Sequence, residues 1–126
     1  MDDLKKKTIL LVEDDKLLNN ILVEKLKNSG FQAVGFFNGE DALEYLKENK
    51  PTAILLDLLL QGIDGFDVLT KVRENPETKK IPVIIISNWD QKDYIKRAKA
   101  IGIEDYLLKA VLDLNELVAR LRILLD

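Results

Sequence analysis

The chain of 126 residues places four groups of polar side chains directly behind short apolar runs: Glu13-Asp14-Asp15, Asp57, Ser87 and Lys109. The intervals between them are on the scale of a β-α-β step. Their chemistry is that of carboxylates, a hydroxyl and an ammonium. There is no histidine and no cysteine, which removes triads with a histidine base, thiolate nucleophiles, disulfides, histidine zinc ligands and any phosphohistidine on this chain. Taken singly, each residue has a plain structural reading. Asp15 suits the cap of a following helix, Asp57 and Ser87 suit turns, and Lys109 suits a solvated surface. The acidic run would repel a phosphate group unless a metal stood between them.

These residues converge only if the surrounding elements bring them together. Thr8–Val12, Ala53–Asp57 and Pro82–Ser87 are apolar almost throughout, the pattern of strands buried on both faces of a parallel sheet. Phe31–Phe37 and Glu104–Leu108 are weaker strand patterns, as expected at sheet edges. Helical periodicity lies between them. Leu17, Leu18, Ile21, Leu22 and Leu26 form one apolar face, with Gly30 closing the helix. Ala42, Leu43 and Leu46 mark a second helix that stops before Pro51. Phe66, Leu69 and Val72 mark a third, and Tyr94, Ile95, Ala98 and Ile101 a fourth, closed by Gly102. Asp113 followed by Glu116 predicts a capping box at the start of the fifth. Five β-α units predict an α/β fold, a doubly wound five-stranded parallel sheet. Sites in such sheets lie beyond the C-terminal ends of the strands, where all four polar groups fall.

At this point four segments in order, Ile9–Asp15, Leu55–Phe66, Ile84–Ser87 and Asp105–Lys109, closely resemble the receiver domain of two-component response regulators. The resemblance spans about residues 8–125 and implies one receiver domain over 1–126, stand-alone as written, with a flavodoxin-like sheet of strand order 2-1-3-4-5. It implies that Asp57 accepts a phosphoryl group from a sensor histidine kinase or phosphotransfer protein. Glu13 and Asp14 would hold Mg²⁺ together with Asp57 and the backbone carbonyl of Leu59. Ser87 would move to bond the phosphoryl oxygen, Lys109 would pair with it, and Tyr106 would change rotamer. An unidentified downstream protein would meet the face made by the fourth helix, fifth strand and fifth helix. Leu59, Asn88 and Trp89 would stand at the approach of hydrolytic water, with Trp89 packing against the fourth helix as the alternative. The chemistry agrees: a carboxylate attacking a phosphoryl group meets like charge, and an oxygen-liganded Mg²⁺ with a lysine neutralises it.

Three residues depart from the family pattern. Gln61 and Ala110 stand where proline is usual, and Asn88 where a small residue is usual. A cis bond before a non-proline residue costs about 2.5–4 kcal/mol, so Lys109-Ala110 is expected to be trans. Other readings are a flavodoxin-like cofactor binder, a degenerate receiver acting as a phosphorylation-independent binding module, and a receiver fragment of a longer regulator. The first needs a Gly/Ser/Thr-rich phosphate loop after the first strand, where the acidic run stands. The second needs a missing acceptor, acid or lysine, and all are present.

Composition sets the remaining bounds. Hydrophobic residues at 47 % supply a core, and charged residues at 33 % keep the surface polar. A net charge of −3 gives no general case for nucleic acid or an acidic membrane. No apolar run reaches the roughly 20 residues of a membrane span, and Met1 to Lys7 does not read as a signal peptide. The expected location is the cytoplasm. An enzymatic role beyond the chain's own phosphorylation and dephosphorylation is not expected. The basic run Lys92, Lys96, Arg97 and Lys99 reads as a solvated helix face or as a surface for an acidic partner.

Overall fold

The computed structural model describes residues 7–126; the reading of the first residues as lacking a signal peptide lies outside them. The order of elements is β1 (Thr8–Val12), α1 (Lys16–Asn28), β2 (Gln32–Phe36), α2 (Gly39–Leu46), β3 (Ala53–Asp57), α3 (Gly65–Glu74), β4 (Val83–Ser87), α4 (Lys92–Ile101), β5 (Asp105–Leu108) and α5 (Leu114–Leu125). All strands are parallel, in the order β2-β1-β3-β4-β5. The sheet therefore has the expected topology.

Alternation within the strands sorts the core into two layers. Leu10, Val12, Ile54, Leu56, Val83 and Ile85 face α2, α3 and α4. Ile9, Leu11, Ala53, Leu55, Ile84 and Ile86 face α1 and α5. β3 and β4 are buried over their whole length, because helices cover both faces and strands cover both edges. β2 and β5 are only half-buried, as sheet edges.

Two local expectations are corrected. On α1 the inward residues are Asn19, Leu22 and Leu26, whereas Leu17 is 71 % and Ile21 43 % exposed. A helix buries one stripe, and here the stripe includes a polar residue and excludes two apolar ones. The capping box expected at Asp113 and Glu116 forms by half. Asp113 Oδ1 accepts the Asn115 and Glu116 N–H groups, but Glu116 turns to Arg120 instead. A reciprocal box forms at α3, between Asp64 and Asp67. Gly30 and Gly102 close α1 and α4 at positive φ, as expected. No cis peptide bond occurs among the described residues. The chain after β5 takes a short 3-10 turn over Lys109–Val111.

Candidate phosphoryl and metal site

The C-terminal ends of β1 and β3 lie side by side, Val12 opposite Leu56, so the residues that follow meet above the sheet. Glu13 and Asp57 are 1 % and 2 % exposed. Oxygens from Glu13, Asp14 and Asp57 all lie within 4.8 Å of one another. Three carboxylates so close require cations. Lys109 Nζ supplies one, 2.7 Å from Glu13 Oε1 and 3.0 Å from Asp57 Oδ2. The trans Lys109-Ala110 bond and the 3-10 turn thus leave Lys109 in reach of the acids.

Backbone groups orient the carboxylates further. Asp57 Oδ1 accepts the Leu59 N–H at 3.1 Å, and Glu13 Oε2 accepts the Asp15 N–H at 3.0 Å. Asp15 itself caps α1 through the Leu18 N–H. The close approach of α3 to the end of β3 requires Gly65: a Cβ there would lie 2.3 Å from the Asp57 carbonyl oxygen.

Electrostatics follow from burial. Burial pushes the Asp57 carboxyl above its ordinary range, with the Lys109 ammonium and the Leu59 N–H opposing it. Burial likewise raises Glu13, helped by the Asp57 charge and opposed by Lys109. For Lys109, burial alone would lower the pKa, but the bonds to Glu13 and Asp57 outweigh it and hold the ammonium charged. Desolvation is a larger cause of these shifts than the crowding of like charges, because the strand ends lie below the surface.

Above these groups opens a cavity of about 370 Å³, lined by Glu13, Asp14, Asp15, Asp57, Leu59, Leu60, Gln61, Asn88 and Lys109. Leu59 and Asn88 therefore stand at its mouth. Trp89 does not line it. The indole stacks on Tyr94 of α4 with ring centroids 4.4 Å apart, the alternative packing weighed for it. An apolar ring gains more against a neighbouring aromatic than over an acidic cleft. Ser87 is fully buried and its Oγ accepts the Trp89 N–H at 2.9 Å. Tyr106 donates its hydroxyl to the Trp89 carbonyl at 2.7 Å. Burial raises the Tyr106 pKa, opposed by the neighbouring Ser87 hydroxyl. Ser87, Trp89 and Tyr106 thus form one connected group beside the acids. Sequence reasoning missed the pairing of Lys109 with Glu13 and the inward place of Asn19; the only signal for Asn19 was a polar residue among the apolar residues of α1.

An acidic cluster, a lysine and a buried hydroxyl beyond the C-terminal edge of a doubly wound sheet mark an α/β domain with a polar site where such folds place their ligands. Residues 9–122 match the model of the response regulator receiver domain. This chain belongs to that family, whose members are phosphorelay signalling modules of two-component systems. It is 33 % identical over 103 residues to the protein PilH of Pseudomonas aeruginosa, covering 82 % of this chain and 85 % of that one. It is 31 % identical over 117 residues to the phosphate regulon transcriptional regulatory protein PhoB of Rhizobium meliloti, covering 93 % of this chain and 51 % of PhoB. The chain thus spans about half the length of the latter relative. The structure of a two-component response regulator from Clostridium difficile superposes with a TM-score of 0.88 at 27 % identity, covering 94 % of this chain and 95 % of that one.

The donor set fits a hard divalent cation. All candidate ligands are oxygens, and Mg²⁺ needs only a few protein ligands because it keeps several waters. Among the described residues no helix is long and apolar enough to cross a membrane.

Proposed function

We propose that the chain accepts a phosphoryl group on Asp57 from a phosphohistidine donor, on a sensor histidine kinase or phosphotransfer protein, and changes its output surface in response. The observation that carries this reading is the buried Asp57 held by Lys109 beside Glu13 and Asp14. Asp57 has Oδ1 on the Leu59 N–H and Oδ2 on Lys109, so the plane of the nucleophilic carboxylate is set before a donor arrives. In the transfer a carboxylate oxygen bonds to phosphorus, the phosphorus–nitrogen bond to the donor imidazole breaks, and the imidazole keeps that electron pair. Lys109 stays charged and faces the incoming anion. Glu13, Asp14 and Asp57 would hold Mg²⁺, with the Leu59 carbonyl completing the set. When bound, Mg²⁺ supplies positive charge against the phosphoryl oxygens. Ser87 offers a neutral donor, and its bond to the Trp89 N–H, with the Tyr106 hydroxyl on the Trp89 carbonyl, gives a route from the site to α4 and β5.

The chain acts on no separate substrate in this scheme; it is a signalling module whose chemistry is its own modification. The downstream partner would dock on α4, β5 and α5. Lys92, Lys96 and Lys99 are exposed there, which favours an acidic partner. Arg97 is committed otherwise, its guanidinium 4.0 Å from the Phe66 ring centroid. The test is intact mass after incubation with a small phosphodonor, with and without Mg²⁺. The expected result is a gain of one phosphate that requires Mg²⁺ and vanishes in Asp57→Asn. A parent protein that gains no mass overturns the reading.

A further inference from the structure

Glu13 is the first residue beyond the ladder of β1. Its N–H still reaches the Phe36 carbonyl at 3.0 Å, but its own carbonyl has left the strand pairing, which ends at Val12. Asn19 takes over that role. Its side chain is 2 % exposed, and Nδ2 donates to the Glu13 carbonyl and to the Phe36 carbonyl, each at 3.0 Å. One buried amide therefore ties α1 to the backbone of Glu13 and to the end of β2. The space for it comes from Gly35 on β2. A Cβ there would lie 2.3 Å from Asn19 Oδ1 and 3.0 Å from Val23 Cγ2. The inward face of α1 is otherwise apolar, so a buried amide there carries a desolvation cost that only its hydrogen bonds offset.

We propose that Asn19, seated in the slot left by Gly35, is a positioning residue that fixes the Glu13–Asp14 backbone so that both carboxylates converge on Asp57. This rests on the reading of the acidic cluster as a Mg²⁺ site. Asn19 touches neither metal nor phosphoryl group and acts through the dihedral angles of Glu13. Without it the Glu13 carbonyl is buried with no partner, and the loop relaxes toward water. Residues that orient metal ligands typically contribute 10–100-fold to affinity when intact.

The experiment is a calorimetric titration with Mg²⁺, far below the melting temperature, of the parent, Asn19→Leu, Gly35→Ala and Leu26→Ala. Asn19→Leu removes the amide, and Gly35→Ala pushes it from its slot from the β2 side, with the sequence of α1 unchanged. Leu26→Ala loosens the same helix without touching Glu13. Expected is a roughly tenfold rise in the Mg²⁺ dissociation constant for Asn19→Leu, a smaller rise for Gly35→Ala, and none for Leu26→Ala. If Asn19→Leu does not fold, Gly35→Ala carries the test. A parent-like constant in the folded Asn19 or Gly35 variant overturns the inference while leaving the site reading intact. An equal rise in Leu26→Ala overturns it too, reducing Asn19 to general stability. A parent that binds no Mg²⁺ overturns the site reading and this inference with it.

Discussion

Asp57 is held in tension between burial and its neighbours. Because burial raises its pKa, the metal-free native state binds protons that the unfolded chain has already released. Its contribution to stability is therefore present below the ordinary carboxylate range and is lost as pH rises through the raised native value. Asp57→Asn removes that dependence, and Lys109 keeps Glu13 as its partner. At neutral pH without metal the variant should melt higher than the parent, with the gap shrinking as pH falls toward the ordinary carboxylate range. Mg²⁺ at ten times its dissociation constant should stabilise the parent by about 1.4 kcal/mol and the variant by less. Melting curves across pH, with and without Mg²⁺, check both statements; a gap that ignores pH would refute the account. In the proposed phosphorylated state, Leu59 would bear on how fast the phosphoryl group is lost. It is 50 % exposed at the mouth of the cavity and has no group to orient a water. Leu59→Asn should speed autodephosphorylation by roughly tenfold, about 1.4 kcal/mol of barrier. Trp89→Glu should add little, since the indole lies on Tyr94. Phosphate release at fixed Mg²⁺ measures both, and a parent rate in Leu59→Asn would mean that this side chain does not gate water.

At the scale of elements, α4 is held differently at its ends. Its start is tied to the β4–α4 connection by the stack of Trp89 on Tyr94. Its end is clamped from α3 by Arg73. The Arg73 guanidinium donates to the carbonyls of Gly102, Lys79 and Ile81 at 2.9, 3.0 and 2.6 Å. It also pairs with Glu104 at 3.2 Å, and Glu104 in turn accepts the Val83 N–H. One cation thus joins α3, the approach to β4 and the α4–β5 turn, at the opposite end of the strands from Asp57. Arg73→Met would leave those carbonyls without a donor and should cost about 2–3 kcal/mol in urea unfolding. The Mg²⁺ dissociation constant should stay at the parent value. A variant as stable as the parent would mean that water replaces the clamp at no cost.

Across the whole molecule, the connection from Ser87 through Trp89 and Tyr106 predicts where a signal travels. Moving a two-state equilibrium from 1:99 to 99:1 takes about 5.5 kcal/mol of differential stabilisation, which the proposed phosphorylation of Asp57 would have to supply through Lys109 and a metal. Amide shifts on phosphorylation should therefore extend from the cavity to α4, β5 and α5. Shifts confined to residues lining the cavity would refute that output face.

Sheet order, helix positions and the identity of the acidic cluster were legible in the sequence by itself, because buried strands read as apolar runs and the polar residue ending each run marks the site. Asp57, Ser87 and Lys109 stood out because all of them follow apolar runs and because the four segments together resemble the receiver family; none could be assigned from its position alone. Tertiary structure decided what depends on neighbours distant in the chain. The exposure of Leu17 and Ile21 and the burial of Asn19 follow from how α1 seats against Gly35. Trp89 lies on Tyr94 rather than over the cavity because α4 offers it an aromatic face. Lys109 bridges Glu13 and Asp57 because β1 and β3 are neighbours while the turn after β5 aims its ammonium between them. Periodicity records what one residue needs from its surroundings, but packing and charge pairing depend on which surfaces the fold brings opposite one another.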